Sequence, residues 1–278
     1  MKKLILAVIT VCTLSTAIAQ KEQKYSKLYY KDMTVENGDI KITVDNAVST
    51  DGETKFKLKI TNKTNDFLIF KPEESKFTIN GKDVKAEEKW LIISPNESDF
   101  RIINLKGAGY NSVKNYTFTL DGVYKVSTAA KGIATADYKL PVAKNDFTTG
   151  PFTVKMSKLY KQSDATNLKF DITYTGDKVA LVFPDKASVI MPDGKEYASV
   201  PSTGLLAKSG PVLFIKKGQT ESVTLNWNRM EGGKAMDMQK VDMLVKFNEM
   251  FTETTLEKLK PETLSFEFDE ATSNAKGK

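Results

Sequence analysis

The chain has 278 residues, of which 41 are lysine or arginine and 35 are aspartate or glutamate, and its formal net charge is +6 at pH 7. It contains no histidine and one cysteine, Cys12, which excludes Ser-His-Asp triads, Cys-His pairs and histidine-based zinc sites from the rest of the chain. Many lysines alternate with apolar residues and form no dense basic run with interleaved aromatics, so the sequence does not indicate nucleic-acid binding.

Residues 1–19 have the pattern of an export signal. Two lysines supply a positive start, residues 4–14 are apolar, and an Ala-Ile-Ala cleavage site precedes Gln20. The apolar run is too short to span a bilayer as a helix, and we predict no transmembrane segment in the mature chain. Cleavage before Gln20 would remove Cys12, so no disulfide is expected. We therefore expect an exported protein in the periplasm, with secretion or surface association as alternatives.

Residues 20–32 form a polar lead-in with several tyrosines, which we expect to pair at the edge of the first sheet. A first domain is predicted from residue 33 to residue 143. Near its start, Ile40, Ile42 and Val44 alternate with polar residues. This period-two pattern is typical of a strand with one buried face.

The stretch from Phe56 to Lys82 is the most informative one, because a second version of it follows later in the chain. Each version reads strand, polar turn, short apolar strand, proline turn, and strand ending in Asn-Gly-Lys or Asp-Gly-Lys. The aligned positions include Phe56 with Leu168, Leu58 with Phe170, Ile60 with Ile172, and Asn80 with Asp193. Chance rarely produces so many matches at regular spacing, so we interpret the pattern as an internal duplication.

The later strands repeat as well. Residues 90–105 align with residues 212–227, each as a strand, a polar turn and a strand. Each copy is expected to close on a last strand, at residues 138–142 and 264–268. A capping-box pattern predicts a short helix at residues 255–260. The tail, residues 271–278, is small and polar, and we expect it to be flexible.

This succession of about seven strands per copy predicts an all-β fold of two tandem antiparallel β-sandwich domains. The predicted domains are residues 33–143 and residues 144–270, with a short linker between them. The pattern resembles the immunoglobulin-like sandwiches that are common in exported bacterial proteins, and the resemblance covers nearly the whole mature chain. It implies a fold but no particular function, because such folds host many functions.

Methionines are concentrated in one stretch of the second copy, at Met230, Met236, Met238, Met243 and Met250. Thioether sulfur is a soft ligand that suits Cu(I), which makes Met230, Met236 and Met238 candidate Cu(I) ligands. Two other interpretations stay open. Met243 aligns with Tyr116 at an inward strand position, which favours core packing, and methionines can also line a surface for a partner.

Oxygen ligands for calcium are a further hypothesis. The residues concerned are Asp45, Asn46, Asp51 and Glu53 around one turn, and Asn145 and Asp146 at the junction. Acidic and amide side chains of this kind suit Ca²⁺, but they are also what ordinary turns contain.

Aromatic residues suggest a carbohydrate platform as another alternative. The tyrosines that would supply it are Tyr25, Tyr29, Tyr30 and Tyr110. Trp90 and Trp227 occupy apolar strand positions, and we expect both to pack in the core.

Together these features predict a non-catalytic, exported binding or scaffolding protein of the cell envelope, with a protein or glycan partner and no cofactor. The alternative is a periplasmic Cu(I)-binding protein that uses the methionine cluster. The sequence carries no signal for the oligomeric state.

Overall fold

The computed structural model describes residues 25–141, 145–200, 212–228 and 237–277. The chain is nearly all β. The strands up to residue 126 are β1 (Leu28–Tyr29), β2 (Met33–Glu36), β3 (Ile40–Ser49), β4 (Glu53–Asn62), β5 (Phe67–Phe70), β6 (Lys76–Ile79), β7 (Lys82–Lys85), β8 (Leu91–Ile93), β9 (Ser98–Lys106), β10 (Asn115–Leu120) and β11 (Val123–Val126).

The elements after residue 126 are also strands of short or medium length, followed by one helix. They are β12 (Tyr138–Leu140), β13 (Asp146–Thr149), β14 (Phe152–Lys161), β15 (Ala165–Tyr174), β16 (Val179–Val182), β17 (Ser188–Ile190), β18 (Glu196–Ala198), β19 (Leu213–Ile215), β20 (Thr220–Asn228), β21 (Met243–Lys246), β22 (Phe251–Thr254), β23 (Leu256–Lys258), β24 (Glu262–Glu267) and the helix α1 (Glu270–Lys276). Short 3₁₀ helices lie at Pro72–Glu74, Tyr110–Ser112 and Pro184–Lys186.

Alternating hydrophobicity explains the long strands. In β3 and β4 the apolar residues are buried while the lysines between them face outward. The two strands pair antiparallel, with a bulge between Asp45 and Val48. Because side chains alternate across a strand, this pattern fixes which face of the sheet meets the core.

The strands assemble into two sandwiches. The first sandwich packs the sheet β1-β3-β4-β9, with β2 also paired to β3, against the sheets β24-β10-β6-β7 and β23-β11-β5-β8. The second sandwich packs the sheet β13-β14-β15-β20 against the sheets β12-β21-β17-β18 and β19-β16-β22. Each has its own hydrophobic core, in which Phe56 and Phe118 belong to the first and Phe170 and Trp227 to the second.

Equivalent positions of the two sandwiches pair in the same register. Phe56 lies opposite Ile103 in the first, and the aligned residue Leu168 lies opposite Leu225 in the second. The hairpin β14–β15 also has a bulge, between Met156 and Lys158, near the position of the bulge in β3.

The closing strands are exchanged between the two sandwiches, which the sequence did not indicate. β12, expected to close the first copy, pairs with β21 of the second sandwich. β24, expected to close the second copy, pairs along its whole length with β10 of the first sandwich. Leu140 is accordingly buried in the second core, and Phe266 is buried in the first.

The connection between β22 and β23 is where the chain crosses from the second sandwich to the first. Only Thr255 separates the two strands, so the chain continues from a sheet of the second sandwich into a sheet of the first without turning back. β23 pairs with β11, and it occupies residues where the sequence predicted a helix. Pairing with an open strand therefore outweighs the local capping-box pattern. The predicted domain boundary near residue 143 lies partly outside the described residues and stays a prediction.

The tail forms α1, where the sequence led us to expect a flexible segment. Asp269 caps the helix by accepting from the Thr272 backbone N–H at 3.0 Å. Ser273 is buried, and its hydroxyl accepts from the backbone N–H of Tyr29 at 2.9 Å. Tyr25 donates to Asn274 at 3.0 Å. The lead-in and the tail thus hold each other on the first sandwich.

A third hydrophobic cluster joins the two sandwiches. Phe67 and Val126 of the first pack with Leu181 and Phe183 of the second. The ring centroids of Phe67 and Phe214 lie 5.4 Å apart. Because this junction buries large side chains from both sides, it fixes the surfaces beside it. Among the described residues, no helix combines the length and apolar character needed to span a bilayer.

Candidate ligand-binding pocket at the junction

A pocket of about 360 Å³ opens at the junction between the two sandwiches. Residues from both contribute to it, together with the crossing segment around Thr255. The lining residues are Lys71, Trp90, Asp177, Lys178, Val179, Lys216, Lys217, Thr254, Thr255 and Leu256. The volume is at the small end of the range for small-molecule sites.

The side chain of Trp90 lines this pocket. Trp90 is half-buried, in contrast to the full burial that the sequence led us to expect. Its Nε1–H donates to Glu73 Oε1 at 2.6 Å, and its carbonyl accepts from Arg101 Nη2 at 2.7 Å. These bonds fix the ring plane. Its position follows from the junction, because the ring packs against the cluster of Phe67 and its neighbours.

Two lysines approach this indole, one from each sandwich. The Lys216 Nζ atom lies 3.3 Å from the ring centroid, and the Lys71 Nζ atom lies 4.8 Å from it. Lys71 also lies 4.3 Å from the centroid of the Tyr124 ring. Such distances are typical of cation–π contacts, which hold an ammonium group without neutralising its charge.

The electrostatics of the pocket favour an added negative charge. Burial lowers the pKa of Lys216, and the neighbouring Lys71 ammonium lowers it further, while the Glu73 carboxylate opposes both effects. An anion placed beside the two ammonium groups would offset their repulsion and their loss of water. The pocket is therefore suited to an acidic group.

The opposite wall belongs to the second sandwich. Lys217 pairs with Asp177, and the backbone N–H of Lys178 donates to the Tyr174 hydroxyl at 3.0 Å. Burial, and donation to Glu253 at 2.6 Å, raise the pKa of Tyr174. Val179 of this sandwich and Leu256 of the crossing segment supply apolar surface. This wall is thus a fixed turn with lysines at its rim.

A hydrogen-bonded network adjoins Lys71 through Tyr124 and Glu74. The Tyr124 hydroxyl donates to Glu74 Oε2 at 2.6 Å, and burial and this bond raise the pKa of Tyr124 to about 12. Lys258 of β23 bridges Glu74 at 3.1 Å and Asp121 at 2.9 Å, and both bonds raise its pKa. The crossing segment is therefore tied to the floor of the pocket by charge as well as by strand pairing.

No protein-family model and no curated protein sequence matches this chain. Its function must therefore be inferred from the geometry of its own residues. The sequence offered one signal of the pocket, since Lys216 and Lys217 occupy a turn at which the aligned residues of the first copy are Ser94 and Pro95. That signal becomes interpretable only when the fold brings Trp90 beside it.

Met238, the candidate copper ligand that the structure describes, does not line the pocket. Met238 is buried, with 2% of its surface exposed, in the core of the second sandwich. Met230 and Met236 lie outside the described residues. Met243 and Met250 are buried in the same core as Met238.

Met243 occupies the place that Tyr116 takes in the first sandwich. Thr54 donates to the Tyr116 hydroxyl at 3.2 Å, and the aligned Thr166 donates to the Met243 sulfur at 3.5 Å. A thioether thus replaces a phenol at one framework position. This favours packing as the role of Met243.

The remaining candidate residues are dispersed. Asp45 pairs with Lys57, Glu53 pairs with Lys55, and Asp51 accepts from the Gly109 backbone. The described part of the chain contains no group of three acidic side chains arranged to hold a metal ion. Among the platform tyrosines, Tyr25 and Tyr30 are buried in the first core. Trp227 is buried as expected and donates to the Tyr197 carbonyl at 3.2 Å.

Proposed function

We propose that this chain is an exported, non-catalytic binding protein that holds a small acidic ligand in the junction pocket. Its predicted export signal assigns it to the cell envelope, and the periplasm is the compartment we favour. The ligand carries a carboxylate, phosphate or sulfate group, which Lys71 and Lys216 bind from opposite sandwiches. Its less polar part contacts Trp90, Val179 and Leu256.

The proposed architecture is a tandem pair of immunoglobulin-like sandwiches that arose by internal duplication. The matched sequence positions, the equal registers of β4–β9 and β15–β20, and the two neighbouring bulge positions support it. In this interpretation the exchange of closing strands converts two similar units into one binding frame. The pocket then forms where only the assembled pair can form it.

The observation that carries the proposal is the approach of two ammonium groups to one indole. Among the described residues, Lys216 forms no ion pair, although the Glu73 carboxylate acts on it, and the ion pair of Lys71 with Glu74 is long, at 3.9 Å. Neither lysine is paired as closely as Lys217 is with Asp177. Holding two like charges in a partly dry site costs free energy unless a counter-charge is added. A bound anion supplies that charge.

Tryptophan fluorescence provides a direct test. The chain has two tryptophans, so a Trp227→Phe variant leaves Trp90 as the only indole. We expect glucuronate or inorganic phosphate to change its emission in a saturable way, whereas glucose, the uncharged counterpart of glucuronate, leaves it unchanged. Lys216→Gln should weaken binding by about tenfold or more, which is the usual effect of losing one charged contact.

The matched control is Lys240→Gln, since Lys240 is exposed and pairs with Asp237 away from the pocket. Affinity should also fall as the pH rises, because binding an anion favours the charged form of Lys216, whose pKa is already lowered. Binding that is equal for glucose and glucuronate, or equal in wild type and Lys216→Gln, would contradict the proposal.

A further inference from the structure

The outer face of the first sandwich carries an exposed apolar pair at the end of its large sheet. Phe100 and Ile102 of β9 expose 50% and 46% of their surface. They point to the same side, because they are two residues apart on one strand. Two large neighbouring apolar side chains are unusual on the solvent-facing side of a sheet.

Lysines surround this pair on the neighbouring strand. In the register of β4 with β9, Lys59 lies opposite Phe100, Lys57 opposite Ile102, and Lys55 opposite Asn104. Lys57 is 3.6 Å from Asp45, and Lys55 is 2.5 Å from Glu53. Within the described residues, no carboxylate pairs with Lys59. The surface therefore combines an apolar strip with positive charge.

At the equivalent positions the second sandwich lacks the apolar pair and one of the two lysines, and it keeps Lys169 where the first has Lys57. Ser222 and Thr224 stand where the first has Phe100 and Ile102, and Asp171 stands where it has Lys59. Asp171 accepts a hydrogen bond from the Ser222 hydroxyl at 2.6 Å. The fold therefore does not require an apolar, basic strip at this place. Only the first sandwich has one.

Side chains block the edge of β9 to strand addition. The backbone N–H of Phe100 donates to the Asp99 carboxylate at 2.7 Å, and that of Asn104 donates to Glu88 Oε1 at 2.6 Å. A partner strand would have to displace both carboxylates. A partner therefore binds across the face of the sheet, over Phe100 and Ile102.

The charge of the face identifies the kind of partner. A second copy of this chain would place lysines against lysines, which is unfavourable. A lipid surface suits apolar residues on protruding loops, whereas this pair lies within a strand, near Asp45 and Glu53. We propose that the face formed by Phe100, Ile102, Lys57 and Lys59 docks an acidic segment of a protein partner, with apolar side chains on Phe100 and Ile102 and carboxylates beside the lysines.

A defined peptide tests this proposal on the full mature chain. The probe is a fluorescent peptide in which glutamate alternates with phenylalanine and leucine, and its control replaces each glutamate by glutamine. We expect anisotropy to report binding of the acidic peptide that weakens as salt is added. Replacing Phe100 by Ser and Ile102 by Thr installs the residues of the second sandwich and should weaken binding about tenfold or more. Lys59→Asp should act in the same direction.

The matched control is Ser222→Ala with Thr224→Ala, on the equivalent face of the second sandwich, and it should leave binding unchanged. Thermal unfolding of each variant checks that it folds. We expect the variant of Phe100 and Ile102 to fold, because both side chains are exposed. Absence of binding, equal binding of the glutamine peptide, or equal binding by the Phe100→Ser and Ile102→Thr variant would overturn the proposal. Binding to phosphatidylglycerol vesicles in place of the peptide would overturn it in favour of a membrane surface.

Discussion

The two sandwiches share their framework but differ in what they attach to it. Their central strands pair in the same register, and aromatic or branched residues fill equivalent core positions. The differences lie at the outer face, where Phe100 has Ser222 as its counterpart, and at the turn where Lys216 faces the junction. Packing constrains the core positions that match between the two sandwiches, so the positions that differ are the better guides to binding.

The cores differ in polarity as well. In the first sandwich, hydroxyls form a buried chain from Tyr30 to Ser49 at 2.8 Å, from Ser49 to Thr54 at 2.7 Å, and from Thr54 to Tyr116 at 3.2 Å. In the second, Thr166 reaches the sulfur of Met243. Hydroxyl chains need every partner in place, whereas a thioether tolerates loose geometry.

The largest expected effect tests the exchange of closing strands. Phe266→Ala should destabilise the first sandwich by about 3–5 kcal/mol, because the ring is buried against Phe56, Tyr30 and Tyr116. Leu140→Ala should destabilise the second by about 2–5 kcal/mol. Hydrogen exchange read by mass spectrometry should show faster exchange in β4 and β10 for the first variant, and in β15 and β21 for the second.

The opposite assignment is a clear alternative outcome. If Phe266→Ala accelerated hydrogen exchange in β15 and left β4 protected, β24 would belong to the second sandwich. That result would contradict the proposed swap of closing strands. Val200→Ala serves as a control, since Val200 exposes 41% of its surface and should have little effect on either sandwich.

The hydroxyl chain of the first sandwich predicts an alkaline weakness. Burial raises the pKa of Tyr30 to about 12. In the unfolded chain this tyrosine loses its proton near pH 10, so above that pH the folded state binds more protons than the unfolded state. The free energy of unfolding should therefore fall as the pH rises, by up to about 1.4 kcal/mol per pH unit for this group.

Tyr30→Phe should flatten this alkaline decline, as measured by urea unfolding between pH 9 and the onset of unfolding in base. Tyr160→Phe is the control, because Tyr160 exposes 45% of its surface. An equal slope in wild type and Tyr30→Phe would mean that Tyr30 does not remain protonated in the folded state.

The all-β class and the paired strands were predictable from sequence because they depend on the alternation of apolar and polar residues along each strand. Ile40, Ile42 and Val44 are buried as their spacing indicates. The exchange of β12 and β24 was not predictable. A strand with alternating buried and exposed positions has the same sequence pattern whichever sheet it pairs with. The helix expected at residues 255–260 was wrong for the same reason, because the open edge of β11 decides the conformation of β23.

The pocket could be predicted only in part. Trp90 aligned with an apolar position, which favoured the core, and Lys216 belonged to a polar turn. Nothing along the chain indicates that these two residues meet, because their contact depends on how the two sandwiches pack through Phe67 and Leu181. Sites between domains are therefore less accessible to sequence reasoning than sites within one motif.

The smallest expected effect concerns the methionines, and it separates packing from copper binding. Met238→Leu and Met243→Leu should each lower the free energy of unfolding by less than about 1.5 kcal/mol, because leucine has nearly the same volume and both side chains are buried. In competition with a chromophoric Cu(I) chelator, wild type and the double variant Met236→Leu with Met238→Leu should retain equal amounts of copper. Loss of Cu(I) in the double variant, with unchanged stability, would instead show that the sulfur atoms serve as ligands. The second sandwich would then differ from the first through a metal site as well as through its packing, since the residue that aligns with Met243 in the first is Tyr116.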